Sequence, residues 1–241
     1  MTAHVAPAKS RPAAGIPLAA LAAALLIAAS AAAPALADTL SMPASGASRI
    51  VFALPGDLVV RQGQQEQVTV EAEGSVLPKL DIGVRGDTLV LASKGSFRTS
   101  KPMKIAVTLK ALRSFASRGS GDAAVEGFSG ETMEFESAGS GELQLRDIRA
   151  GRLALAIKGS GDIAASGAGN FLAARIAGTG AIDAARYRVR SAQAEISGSG
   201  DIKVNAEQSL EASISGAGNI GYRGQPRVKE SVSGAGSVDR L

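Results

Sequence analysis

A short glycine turn recurs seven times in the second half of the chain at a nearly constant spacing. The copies read GSGD, GSGE, GSGD, GTGA, GSGD, GAGN and GAGS, and successive copies start 20, 20, 19, 20, 18 and 18 residues apart. A fixed period of this length is typical of a repeat protein, in which every repeat forms one structural unit. The turn glycines are Gly119, Gly121, Gly139, Gly141, Gly159, Gly161, Gly178, Gly180, Gly198, Gly200, Gly216, Gly218, Gly234 and Gly236.

Apolar residues flank the turns at fixed distances. Four and six residues after the first glycine, most copies carry Ile, Leu, Val or Ala, with polar residues between them. This alternation predicts short strands that have one buried and one solvated face. The residue two places before the first glycine is, in turn, Ser117, Ser137, Ile157, Ile176, Ile196, Ile214 and Val232.

One repeat is too short to enclose a hydrophobic core, but stacked repeats bury their apolar faces against one another. We therefore predict an all-β fold, a right-handed parallel β-helix (solenoid) with about 18–20 residues per coil. The right hand is expected because parallel crossovers strongly favour it. Equivalent residues of successive coils would lie about 4.8 Å apart and form rows, and Ile157, Ile176, Ile196 and Ile214 would share one buried row.

Residues upstream of the repeats lack the glycine turn but contain several runs typical of strands. Examples are RIVFAL, QVTVEAEG and DTLVLAS, which are separated by Gly, Pro, Asp and Gln. We predict an N-terminal linker at 38–48 and a single solenoid domain at 49–241. Within it, residues 49–113 would start the solenoid and cover its end, and residues 114–241 would form the repeats.

The turn glycines are interpreted as structural. A tight corner in every coil requires either a positive φ or a close approach of stacked backbones, and glycine meets both needs. A phosphate-binding loop would open a helix and end in Gly-Lys-Ser or Gly-Lys-Thr, and neither sequence occurs.

Acidic residues follow several turns and would stack in one row. Asp122, Glu142 and Asp162 occupy adjacent repeats. Unit charges 4.8 Å apart repel by about 0.9 kcal/mol in water, so this row is a weak candidate for loose cation binding, with calcium as the natural ion. Solvated carboxylates at a turn are the simpler interpretation, and we predict neither a dedicated metal site nor a cofactor.

The N-terminus has the features of a secretory signal peptide. Lys9 and Arg11 precede an uncharged apolar run at 18–33, and Ala35-Leu36-Ala37 forms a small-residue cleavage site. We predict that residues 1–37 are removed, that the protein is exported to the periplasm or the cell surface, and that no membrane span remains after cleavage.

The residues after the signal peptide restrict the possible chemistry. They contain no Cys and no His, because His4 lies in the signal peptide. This composition excludes a Ser-His-Asp triad, a Cys/His dyad and zinc sites with His or Cys ligands. The charge of residues 38–241 is only +2, from 24 basic and 22 acidic residues. No basic face with interleaved aromatic residues is visible, so nucleic acid is not an expected partner.

These residues resemble a known family, the putative auto-transporter adhesin, head GIN domain group of exported bacterial proteins. The resemblance covers about residues 48–241 and depends on LPGDLVVRQGQQEQVTVEAEG, GDTLVLAS and the serial ISGSGDI and ISGAGNI units. It implies a β-helix in the periplasm or on the cell envelope, without established catalytic residues.

Two functions remain open from the sequence. The favoured one is a non-catalytic, adhesin-like envelope module that presents a repetitive face to a protein or polysaccharide. The alternative is a carbohydrate-active enzyme, a lyase or hydrolase that uses carboxylates on a β-helix, and this argument is one of fold analogy alone. Self-association through the solenoid ends is a further expectation.

Overall fold

A computed structural model describes residues 38–241, which are almost entirely β-structure. The predicted signal peptide, residues 1–37, lies outside the described residues. Within the described part, one 3₁₀ turn (Leu77–Lys79) accompanies the strands. The strands are β1 (Asp38–Pro43), β2 (Arg49–Phe52), β3 (Asp57–Gln62), β4 (Gln67–Ala72), β5 (Leu80–Arg85), β6 (Thr88–Ser93), β7 (Lys104–Leu109), β8 (Ser114–Ser117), β9 (Ala123–Glu126), β10 (Ser129–Ser137), β11 (Leu143–Ile157), β12 (Ile163–Ile176), β13 (Ile182–Ile196), β14 (Ile202–Ile214), β15 (Ile220–Arg223), β16 (Arg227–Val232) and β17 (Val238–Arg240).

The glycine repeats form a stack of parallel coils. Strands β11 to β14 each run nearly the length of one coil, and each pairs in parallel with the next strand in the chain. Shorter strands extend the stack at both ends, so that β8, β9 and β10 precede β11, and β15, β16 and β17 follow β14. The predicted all-β parallel solenoid is therefore confirmed, with about six turns. Its hand stays a prediction.

The core lies inside the coils and consists of rows of like residues. Ile157, Ile176, Ile196 and Ile214 are each 0% exposed. The strand register places each of them beside the next, as the repeat spacing predicts. Ser137 continues this row and is also 0% exposed, with no hydrogen-bond partner for its hydroxyl among the described residues.

An additional coil lies ahead of the glycine repeats, where the sequence pattern showed no turn. Strands β2 and β3 pair in parallel with β8 and β9, and the connection between them, residues 53–56, lies against the first glycine turn. On the other side, β6 and β7 pair in parallel with β2 and β3, although they follow them in the chain. Strands β6 and β7 therefore lie on the side of the β2–β3 coil that is opposite the glycine repeats.

Antiparallel strands cover this N-terminal end. Strand β4 pairs with β7, β1 pairs with β4, and β5 pairs with β6, all antiparallel. The prediction of a linker over 38–48 differs from the structure, because Asp38–Pro43 form β1. Side chains at Leu40 and Met42 pack against the core, and this apolar contact draws the segment onto the sheet.

The opposite end presents strand β16. Its residues Val228, Glu230 and Val232 continue the rows of Leu210, Ala212 and Ile214, which are buried. The β16 residues of these rows are exposed, and Val228 and Val232 are 37% and 43% accessible.

No helix within residues 38–241 has the length and apolar character to cross a membrane.

Candidate functional site

The glycine turns stack directly on one another along the coil axis. In each coil, the residue between the two glycines donates its backbone N–H to the carbonyl of the first glycine of the preceding coil. The bond from Ser199 to Gly178 and the bond from Ala217 to Gly198 are both 2.9 Å long. The turns therefore form a hydrogen-bonded column, and the side chain of the middle residue points away from it into solvent.

Close stacking explains the glycines. A Cβ on Gly200 would overlap the carbonyl oxygen of Gly180, and the other turn glycines of the repeats have the same relation to the preceding coil. Of the two explanations that the sequence allows, the structure selects close backbone approach. Only Gly218 among the turn glycines has a φ, +152°, within the left-handed region.

The turn column begins earlier than the glycine pattern indicates. A Cβ on Gly119 would lie 2.7 Å from the carbonyl oxygen of Leu54, and one on Gly121 would overlap the carbonyl of Gly56. Leu54 to Asp57 therefore take the place of a turn. The shared Gly-Asp followed by alternating apolar residues, as in Gly56-Asp57 and Gly121-Asp122, is the sequence signal that identifies this turn.

The acidic residues after the turns bind backbone amides. The Asp122 carboxylate accepts the N–H of Glu142, and the Asp162 carboxylate accepts the N–H of Ala181, both at 2.8 Å. Asp201 accepts the N–H of Asn219 at the same distance, and the Asn219 side chain accepts the N–H of Ser237. These side chains thus join each coil to the next.

Glu142 differs from the aspartates around it. Its longer side chain accepts a hydrogen bond from Gln144 within its own coil. Three side chains predicted to stack as cation ligands are therefore engaged in separate hydrogen bonds. The described residues hold no group of three or more acidic or His side chains arranged around a metal position.

The outer surface is mixed in charge and has shallow depressions. One of about 390 Å³ lies on the face formed by β2, β8, β10 and β11, and small side chains such as Ala116, Ala154 and Ala156 line it. Glu136 at its margin pairs with Lys158 at 2.8 Å. These depressions are open grooves between rows of side chains.

Two carboxylates at the N-terminal end of the solenoid have lowered pKa values. Hydrogen bonds from Ser100 lower the pKa of Glu73, and a hydrogen bond from the Gly46 amide lowers the pKa of Glu66. Both carboxylates thus hold neighbouring loops in place through hydrogen bonds.

Burial raises the pKa of the Tyr187 hydroxyl. The nearby Ala150 amide partly offsets this rise, although the hydroxyl makes no hydrogen bond of good geometry.

A family model for the putative auto-transporter adhesin, head GIN domain, matches residues 46–226. The chain belongs to this family. The match spans the coil of β2 and β3 and almost all of the glycine repeats, so the head GIN domain of this chain is the solenoid itself. The resemblance inferred from the sequence is confirmed. No curated protein matches the chain in sequence.

Solved structures with the same fold include two putative adhesins and a putative lipid binding protein. A putative adhesin from Bacteroides fragilis is 25% identical, with a TM-score of 0.79 over 85% of this chain and 96% of that one. A putative lipid binding protein from Parabacteroides distasonis is also 25% identical, with a TM-score of 0.71 and the same coverage. A putative adhesin from Parabacteroides merdae is 18% identical, with a TM-score of 0.67 over 85% and 95%, and shows the fold alone.

Proposed function

We propose that this head GIN domain protein is an exported, non-catalytic module that binds a polysaccharide or protein partner at the cell envelope. The observation that carries the proposal is the regular outer surface. Parallel pairing at a fixed register holds outward side chains of successive coils in rows, as in Ala154, Ala173 and Gln193. Such rows suit a partner that is itself extended or repetitive.

The family supports an adhesin-like role. The matching family model is named for adhesins, and the Bacteroides fragilis protein of the same fold carries that name. The proposal transfers the general role of surface binding to this chain and leaves the partner to experiment.

The arrangement of the carboxylates favours binding over catalysis. Catalysis by two carboxylates requires a pair whose environments drive their proton affinities apart. Asp122, Asp162 and Asp201 share one environment, because each is exposed and accepts a backbone amide of the next coil.

Incubation of the purified protein with acidic and neutral polysaccharides, with and without calcium, tests this proposal. We expect binding to at least one polymer or to an envelope protein, and no increase in reducing ends or unsaturated products. Reproducible cleavage that disappears in Asp162→Asn would replace this function with the enzyme alternative.

Export is the second part of the proposal, and cell fractionation tests it separately. The charged start, apolar run and Ala35-Leu36-Ala37 site support cleavage before Asp38. We expect N-terminal sequencing of the periplasmic or surface fraction to begin at Asp38. Retention of the uncleaved chain in the cytoplasm would contradict it.

A further inference from the structure

One corner of the solenoid is recessed at strand β12. Leu145 of β11 pairs with Ala165 of β12, and the next pair is Ile148 with Gly167. Between these pairs β11 has two residues, Arg146 and Asp147, whereas β12 has only Ser166. Between matched positions of β12 and β13, β13 likewise has one residue more than β12. The coil of β12 is thus shorter at this corner than both neighbours, in agreement with the spacing of 19 between Gly159 and Gly178 and of 20 on either side.

The recessed strand carries short side chains for a structural reason. Gly167 and Gly169 face inward, and a Cβ at either position would overlap the backbone of β11. A Cβ on Gly169 would also lie 2.5 Å from the Tyr187 hydroxyl, because this buried tyrosine fills the space beside the glycines. Outward from the same strand, Ser166 and Ala168 are half-buried and Asn170 is exposed.

Arginines stand on both sides of this recess. Arg149 on β11 and Arg188 on β13 are both exposed, and the register aligns both with Ala168 on the strand between them. Two strand spacings separate the two arginine-bearing backbones by roughly 9.6 Å. We call this surface the arginine notch; its floor is residues 166–170, and its walls are Arg149 and Arg152 on one side and Arg186, Arg188 and Arg190 on the other.

Most of these cations have no anionic partner. Within residues 38–241, Arg149, Arg186 and Arg190 form no ion pair. Arg152 lies over the ring of Phe171 at 4.5 Å, and Arg188 pairs with Glu207 at 3.5 Å with both side chains exposed. Two acids lie at the edges of the notch, Asp147 beside Ser166 and Glu207 beside Arg188, so its five arginines leave a local excess of positive charge on a chain that is nearly neutral as a whole.

We propose that the arginine notch binds a linear acidic polysaccharide, with its carboxylate or sulfate groups between the two arginine walls. Guanidinium groups bind planar oxyanions through two parallel hydrogen bonds, and unpaired exposed arginines are free to do so. The exposed amide of Asn170 supplies a donor and an acceptor for sugar hydroxyls, whereas the Ser166 hydroxyl already bonds the backbone of β11, donating to Leu145 and accepting from Asp147. The proposal rests on the proposed binding function and specifies its ligand class.

Binding of heparin and polygalacturonate, measured by calorimetry against neutral dextran, tests the notch. The triple variant Arg149→Gln, Arg186→Gln, Arg190→Gln should weaken acidic-polymer binding at least tenfold, and binding should fall as salt rises. The control variant Lys79→Gln, Lys104→Gln, Arg240→Gln removes equal charge from exposed positions elsewhere and should weaken binding less than threefold. Circular dichroism checks that both variants fold.

The floor offers a second, sharper comparison. Ala168→Glu places an acid between the two walls and should abolish binding of the acidic polymers, whereas Ala168→Gln, of similar size, should reduce it only modestly. Equal losses in these two variants, or in the two triple variants, would overturn the notch.

The same assay separates this inference from the proposed function. Binding to dextran or to an envelope protein without binding to acidic polymers overturns the notch and leaves the binding module standing. Tighter binding to vesicles of anionic phospholipid or to single-stranded DNA than to acidic polysaccharide also overturns the notch. Cleavage of any polymer overturns the proposed function itself.

Discussion

At Gly200, a side chain is excluded by the carbonyl of the coil beneath. Because that carbonyl is backbone, the clash cannot be relieved by a rotamer change. We expect Gly200→Ala to destabilise the protein by about 2 kcal/mol or more in urea unfolding. Gly83→Ala is the matched control, since a Cβ at Gly83 meets no atom within 4 Å, and it should be neutral or slightly stabilising because alanine reduces the conformational entropy of the unfolded chain. Equal effects of both changes would contradict backbone stacking.

Asp162 is a polar residue that links its own coil to the next one along the solenoid axis. Its carboxylate accepts the Ala181 amide, and Asn219 fills the same position three coils later as an amide acceptor. We expect Asp162→Ala to cost about 1 kcal/mol in urea unfolding, and Asp162→Asn to change stability by less than about 0.5 kcal/mol. If calcium stabilises the wild-type protein but not Asp162→Asn, the row is a cation site instead.

Glu66 and Glu73 flank strand β4 and accept hydrogen bonds from Gly46 and Ser100, which protonation of the carboxylates would weaken. The pKa of Glu73 and that of Glu66 lie below the ordinary 4.5, so their stabilising contribution is complete above that pH and is lost as pH falls through the lowered values. An NMR titration should show the Ser100 and Gly46 amides changing with midpoints below 4.5. Glu73→Gln should remove the Ser100 transition and leave that of Gly46. A midpoint at or above 4.5 would contradict these contacts.

Strand β16 carries a charge in an inward row. Glu230 aligns with the buried Ala212, and an inward-pointing charge on an exposed strand discourages pairing with another sheet. We propose that Glu230 limits self-association at this end. Glu230→Val should raise the sedimentation coefficient in a concentration-dependent way, whereas Glu134→Val, on the outward face of β10, should not. No difference between the two would argue against association through this end.

The molecule as a whole was predictable where the sequence repeats. Ile157, Ile176, Ile196 and Ile214 hold the same position in successive repeats. Residues at the same position form one row when the coils stack, so the repeat period determines which residues form the core. The coil through Leu54 escaped detection because Leu54 stands where the first turn glycine would be and only Gly56 remains of the usual pair. Strand β1 escaped detection because it pairs antiparallel with β4, a contact that no repeat encodes.

The arginine notch required the structure for a different reason. Arg149 and Arg188 lie 39 residues apart, and only the register of β11, β12 and β13 places them on either side of one short strand. The shorter period at Gly159 to Gly178 was visible in the sequence, but its consequence depends on where in the coil the missing residue falls.

One glycine period corresponds to one coil of the solenoid, and distances between spin labels measure this correspondence directly. The chain contains no cysteine, so labels on cysteines introduced at exposed middle positions of the turns report only on those sites. Backbone separations from Ser120 should be roughly 19 Å to Ser199 and roughly 29 Å to Ala235, four and six coils away at about 4.8 Å each. Label distances that increase in this proportion support the stack; distances that do not increase with the number of repeats would contradict it.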